Sequence, residues 1–330
     1  IRSAARHAGA PLSPRKITVN LSPATLPKRG SHFDVAVVMA VLSAQGVVRV
    51  PPDTVFFAEL GLDGSLRPVR GVLPAVLAAV REGCPHVVVA EANRAEAELV
   101  TGATVSSAGH LARLLVQFGA DPALAARVEP AAAGPSPTPQ SRAVPQDQDP
   151  RDLTDVVGQI EGRKALEIAA AGGHHLLMVG PPGAGKTLLA ERLPGILPDL
   201  EDEDALEVTS VHSLRGDSGC SALIRRPPFQ SPHHGTTMPA MCGGGSGMPR
   251  PGAISLAHRG VLFLDEAPEF DRRVLDALRQ PLESGTVTIA RAQSVAQYPA
   301  AFQLVLAANP CACGHAGGTG QACTCSSVQR

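Results

Sequence analysis

The chain has 330 residues, with 29 Lys and Arg against 30 Asp and Glu, 33 Gly, 30 Pro, eight Phe, one Tyr and no Trp. That length predicts two domains whose cores need no disulfide or metal staple. A net charge of −1 argues against a strongly basic protein that coats nucleic acid, although a local basic stripe fits inside a neutral total. The Gly and Pro content stays below that of low-complexity chains. The seven cysteines are too few and too unevenly spaced for a secreted disulfide scaffold, which points to a reducing, cytoplasmic setting. No apolar run reaches the roughly 18 residues of a membrane span, and no signal segment opens the chain. Starting at Ile1 and stopping at Arg330, the sequence reads as a piece cut at both ends.

In chain order, apolar runs predict strands at residues 16–21 (KITVNL), 54–60 (TVFFAEL) and 86–91 (HVVVAE). Helical stretches alternate with them at 33–45, 71–83 and 108–119, and alternation of this kind implies a small α/β domain over 1–129. Residues 130–150 carry six prolines and little aliphatic bulk, so they read as an extended linker. A second domain-scale stretch, 151–330, opens with a helix within DLTDVVGQIEGRKALEIAAAGG. A strand follows at 175–180 (HLLMVG), then a helix at 186–197, and strands at 260–265 (GVLFLD) and 302–309 (FQLVLAAN). These predict a doubly wound parallel sheet.

Gly180-Pro181-Pro182-Gly183-Ala184-Gly185-Lys186-Thr187 fits G-x-x-x-x-G-K-[ST] between an apolar strand and a helix start, the context a phosphate-binding loop requires. The glycines let backbone N–H groups turn toward phosphates, Lys186 reaches the β- and γ-phosphates of ATP, and the Thr187 hydroxyl ligates Mg²⁺. In Val261-Leu262-Phe263-Leu264-Asp265-Glu266, four apolar residues deliver two carboxylates to a strand end. Asp265 is expected to hold Mg²⁺ through water, and Glu266 to polarise the attacking water. Asn309, at the tip of the next strand-like segment, is expected to hold that water from the opposite side. Val157 and Gly158, just before the first helix of this stretch, suit a lining for an adenine ring.

With these pieces in this order, the second half resembles an AAA+ ATPase core on a P-loop NTPase fold. Residues 228–234 (PFQSPHH), Gly243-Gly244-Gly245, 249–260 (PRPGAISLAHRG) and 262–270 (LFLDEAPEF) make it similar to the magnesium-chelatase-like AAA+ proteins of the ComM/YifB family. By the same resemblance, residues 20–36 (NLSPATLPKRGSHFDVA) make the first half similar to a Lon-protease-type α/β domain, of the ribosomal S5 domain 2-like kind. His32 falls where the Lon nucleophile belongs, Ser31 is one residue early, and 69–75 contain no Lys. Peptidase activity is therefore not expected, because an unactivated hydroxyl is a weak nucleophile. The resemblance implies a homo-oligomeric ring, a hexamer, that uses ATP to act on DNA as a helicase or branch-migration motor in natural transformation. Two other readings stay open: a chelatase-type motor that remodels a protein, and an adaptor whose nucleotide site serves only assembly. The resemblance also puts the lid and the arginine supplied by a neighbouring subunit after the cysteine cluster, so this piece is expected to bind ATP·Mg²⁺ and to hydrolyse it poorly.

Cys311-x-Cys313 and Cys323-x-Cys325 supply four thiolates, the number that a tetrahedral structural Zn²⁺ site demands, with free thiols in a Gly-rich loop as the other reading. His233-His234 is not expected to chelate one ion, because neighbouring side chains on an extended segment point to opposite faces. Residues 228–252 and the hairpin-like 287–291 are expected to face a ring's pore, and the acidic run 199–204 to begin a solvated helix.

Overall fold

The computed structural model describes residues 1–23, 28, 30–126, 151–216, 221–245, 249–291, 294–311, 313, 314, 316 and 323–326. The chain splits into two compact units, Ile1–Val144 with Gly216–Ala222, and Pro145–Arg215 with Leu223–Arg330. The expected linker, 130–150, lies outside the described residues.

The first unit is built on a parallel three-stranded sheet. Its strands are β1 (Thr54–Phe57), β4 (His86–Ala90) and β5 (Thr104–Ala108), in the order β1-β4-β5, with β2 (Glu59–Leu60) and β3 (Leu66–Arg67) as a short antiparallel pair. The helices Asp34–Ala44, Val72–Arg81 and Leu111–Gln117 flank them, and Met39, Leu42, Leu111, Leu114 and Leu115 close the core. Two expectations need correction. No strand forms at 16–21, where Val19 and Leu21 are exposed, because an alternating apolar segment makes a strand only when a partner completes its ladder. The helix expected from residue 108 begins at Leu111, its first turn capped by the His110 ring accepting the Ala112 N–H at 3.1 Å. The preceding Thr104–Ala108 pairs with β4 instead.

The second unit carries the parallel sheet expected of a P-loop NTPase core. β6 (Leu176–Val179), β13 (Gln303–Ala308), β10 (Val261–Leu264) and β7 (Phe229–Gln230) lie in the order β6-β13-β10-β7, all parallel. β10 is central and fully buried. Its side chains alternate between faces, as the pleat requires. Val261 and Phe263 pack into a cluster with Leu166, Leu193 and Val305, and Leu262 and Leu264 into one with Met241, Ile254, Phe270 and Leu304. Helices therefore cover both faces. The hairpins β8–β9 (Gly243–Gly244, Arg250–Pro251) and β11–β12 (Thr286–Arg291, Ser294–Pro299) are antiparallel additions.

The helix expected over 186–197 is two short ones, Lys186–Ala190 and Leu193–Ile196. Pro194 lacks the N–H that would bond the Ala190 carbonyl, and its ring crowds that carbonyl. The helix expected within 152–173 starts only at Ile160, because Gly158 and Gln159 both take positive φ, +74° and +48°. Asp202–Arg215 begins on the acidic run, as expected.

Candidate functional site

Parallel pairing sends the C-terminal ends of β6, β13 and β10 to one edge of the sheet, where ligands of open α/β sheets bind. β6 leads into the glycine loop, β10 into Asp265-Glu266, and β13 between them into Asn309. A cavity of about 430 Å³ opens there, bounded by Pro182–Leu188, Asp265, Glu266, Ala308 and Asn309. The loop's tight path depends on Gly183 and Gly185, at φ +78° and +80°, a region closed to most other residues.

Lys186 turns back over its own loop. Its Nζ donates to the carbonyl oxygens of Gly180 at 2.7 Å and Pro181 at 3.0 Å, and to Asn309 Oδ1 at 3.1 Å. The amine and the amide, 123 positions apart, thus meet at the floor of the cavity. Across from them the Thr187 hydroxyl donates to Asp265 Oδ2 at 2.7 Å, while Asp265 Oδ1 accepts the Glu266 N–H at 2.9 Å. The hydroxyl and carboxylate form an all-oxygen pair of the kind Mg²⁺ takes alongside phosphates and water. Glu266 sits at φ +51°, and its Oε2 lies 3.2 Å from His234 Nδ1.

Val157 and Gly158 are not part of the cavity wall. Val156 is buried, whereas Val157 is 94% exposed, so its isopropyl group presents an uncovered apolar face at the lead-in to the helix. Two participants were missed by sequence reasoning. Gln159 donates from Nε2 to the Ala184 carbonyl at 2.9 Å, which ties the lead-in to the phosphate loop. His234 meets Glu266, and His233-His234 is not the extended pair with divergent side chains that the sequence predicts. A turn at His234-Gly235, in which the His233 ring accepts the Gly235 N–H, instead brings the two rings to 3.9 Å between centroids.

Just past Asn309, the sulfurs of Cys311, Cys313, Cys323 and Cys325 all lie within 4.8 Å of one another. The Cys325 thiol is drawn down by the Cys313 N–H but pushed up further by its contacts with neighbouring thiols and by burial, to about 11. In the first unit, the Ser31 hydroxyl donates to the Glu59 carboxylate, and no Lys lies in 69–75.

A family model described as magnesium chelatase, subunit ChlI, matches residues 152–330, and a second one for the same subunit matches residues 1–93. The chain is 43% identical to YifB of Escherichia coli over 98% of its length and 44% identical to the competence protein ComM of Haemophilus influenzae over 97%. The chain belongs to the ComM/YifB family of magnesium-chelatase-like AAA+ proteins. The chain is also 50% identical, over its own whole length, to an uncharacterised Mycobacterium tuberculosis protein, Rv2897c. The chain spans 63%, 62% and 61% of the mycobacterial, YifB and ComM relatives. No helix of the described residues is long and apolar enough to cross a membrane.

Proposed function

We propose that the second unit binds ATP and carries the residues that hydrolyse it in the full-length protein, which works as a ring-forming, cytoplasmic DNA motor of the ComM type. The convergence of Lys186, Thr187, Asp265, Glu266 and Asn309 on one cavity carries the nucleotide part. It unites a cation for the phosphates, an oxygen pair for Mg²⁺, a base and a polar amide around one cavity. Thr187 and Asp265 would hold Mg²⁺, which when bound neutralises charge between the β- and γ-phosphates.

In the hydrolytic step, Glu266 accepts a proton from water as the water oxygen bonds the γ-phosphorus and the bridge to the β-phosphate breaks. Asn309 orients that water, and Lys186 leaves its carbonyl partners for the phosphate oxygens. His234 holds the Glu266 carboxylate in place between turnovers. Val157, with Gly158, would stack against the adenine, which gives the exposed isopropyl group a partner. The domain limits in this reading are 1–129, a linker at 130–150, and 151–330, with the first domain acting without peptidase chemistry. Ser31 faces a carboxylate rather than a lysine, which supports that assignment.

The hexameric ring and the DNA substrate rest on the kinship with ComM, which is named a competence protein. The test is ATPase and strand-displacement activity of the full-length protein. Stimulation by single-stranded DNA is expected. Turnover that instead depends on a partner protein would transfer the reading to the chelatase-type remodelling class.

A further inference from the structure

We infer that Cys311, Cys313, Cys323 and Cys325 bind one structural zinc ion, and that this zinc knuckle braces the phosphate loop. The bracing half of the inference rests on the ATP reading above; the metal half does not.

The distances fit one ion. Cys311 and Cys313 sulfurs are 3.4 Å apart, and each is 3.7 Å from the Cys323 sulfur. Zn–S bonds of about 2.3 Å in a tetrahedron set sulfur–sulfur edges of about 3.8 Å. The observed spacings are far beyond the roughly 2.05 Å of a disulfide. They are also too short for a cluster in which each iron carries its own thiolate. Two backbone groups already point at sulfur: the Cys313 N–H at Cys325 Sγ and the Ala316 N–H at Cys311 Sγ, each at 3.3 Å. N–H donors of this kind orient and stabilise metal-bound thiolates. Soft thiolates alone select zinc over Mg²⁺, which takes oxygen ligands.

The knuckle's position gives it a task. Cys311 is buried and follows Asn309, at the tip of β13, by two residues. A turn closes behind it, with the Gly314 N–H on the Cys311 carbonyl at 2.9 Å. Gly314 has φ +78°, and a Cβ there would fall 2.6 Å from Cδ of Pro182, so the knuckle rests directly on the phosphate loop. A metal that locks residues 311–314 therefore limits the motion of two parts of the site at once, Pro182 and the Asn309 amide that Lys186 contacts.

The test uses the intact protein, purified under reducing conditions. About one zinc per chain is expected, falling below about 0.1 in a Cys323→Ser/Cys325→Ser variant. Cobalt-loaded wild-type protein should show the visible and near-ultraviolet bands of a tetrahedral four-thiolate site. Stripping zinc with a chelator, then dialysing the chelator away, should weaken binding of a non-hydrolysable ATP analogue about tenfold, and restored zinc should reverse it. Reversal in wild-type protein separates the effect from any folding defect of the variant. Less than about 0.1 equivalent of metal, both as purified and after zinc incubation, would overturn the site. Full zinc with nucleotide affinity unchanged by its removal would overturn the bracing. No analogue binding with or without zinc would overturn the ATP reading and the bracing together, and the metal counts and cobalt bands would still decide the site itself.

Discussion

Gly260 is where the strand that delivers Asp265 and Glu266 enters the sheet, and the backbone of the neighbouring strand's lead-in runs against it. A Cβ at this position would lie 2.1 Å from the Pro228 carbonyl oxygen and 2.6 Å from the Pro228 nitrogen, both backbone atoms with no rotamer through which to escape. The same Pro228 carbonyl accepts the Val261 N–H at 2.8 Å, and the Gly260 carbonyl accepts the Gln303 N–H at 2.8 Å, so the two neighbours of β10 fix it from both sides. Gly260→Ala must therefore push the entry of β7 outward. Overpacking of this kind costs about 1–3 kcal/mol, and the strained Val261–Pro228 bond adds about 1 kcal/mol. For a domain of this size the sum lowers the midpoint of thermal unfolding by roughly 5–15 °C. Because β7 leads into the loop carrying His234, which holds Glu266, turnover of the full-length protein is expected to fall with it. Gly109→Ala is the control: nothing lies within 4 Å of its added methyl, and its φ is not in the left-handed region, so it should be neutral or raise stability by about 0.4–1 kcal/mol. Calorimetry of both variants decides the matter. A Gly260→Ala midpoint within about 2 °C of wild type, with turnover unchanged, would refute the tight β7–β10 entry.

Lys186→Ala removes the cation meant for the phosphates and should weaken ATP binding by at least roughly 100-fold, since charge-assisted hydrogen bonds contribute about 1.5–3 kcal/mol each; equilibrium titration with a fluorescent analogue measures it. Glu266→Gln should retain binding while turnover of the full-length protein falls roughly 100-fold or more, and near-normal turnover would remove Glu266 from its role as base. The His258 ring accepts the Ala301 N–H on Nδ1 at 3.0 Å and meets Glu207 through Nε2 at 2.9 Å, and burial holds its pKa below the ordinary value despite the pull of that carboxylate. A folded-state pKa below the unfolded one means that stability is full above about pH 6.5 and declines as pH falls from there through the folded value; His258→Gln should flatten that decline in thermal melts between neutral and mildly acidic pH.

The parts of the fold that were legible in sequence are those whose cause is local. β10 and β13 are buried on both faces, so their apolar runs are continuous and stand out. β5 is not of that kind. Thr104, Ser106 and Ser107 carry no apolar signal, and the segment is a strand because β4 offers it a parallel ladder, which no window of sequence contains. The opposite failure occurred at 16–21, where a good alternating pattern finds no ladder. The break after Ala190 was visible in principle, since Pro194 stood inside the apolar periodicity that masked it.

The site divides along the same line. A phosphate loop must be contiguous, because its glycines, lysine and threonine act through one short stretch of backbone, and Asp265-Glu266 sits at the end of an unmistakable strand. Gln159 and His234 act across the fold, and each depends on a local break in regular geometry that hydrophobic pattern does not encode. Gln159 takes a left-handed conformation that starts the helix late, and His234 stands in a turn. A signal for His234 existed all the same: a polar, proline-bounded Ser-Pro-His-His segment directly follows Phe229-Gln230, a short strand that pairs with β10.

Glu266 shows why these breaks cluster at the cavity. A non-glycine residue at φ +51° carries a steric cost of about 1–2 kcal/mol, and glycine would adopt that conformation freely but without a carboxylate. The surrounding bonds enforce it: Asp265 Oδ1 takes the Glu266 N–H, the Glu266 carbonyl takes the Glu269 N–H at 2.8 Å, and His234 holds the side chain. Strain of this size persists only where neighbours over-determine it. Two of these bonds also hold groups at the cavity wall: Asp265, which takes the Glu266 N–H, reaches Thr187 as well, and His234 holds the Glu266 carboxylate. The left-handed turn lets the chain leave β10 at once, so that two consecutive residues can serve different tasks, one carboxylate turned to the hydroxyl of the phosphate loop and the next turned away from it toward a histidine on another strand's loop. In an extended continuation of β10 the two carboxylates would alternate across the sheet, and only one of them would face the cavity.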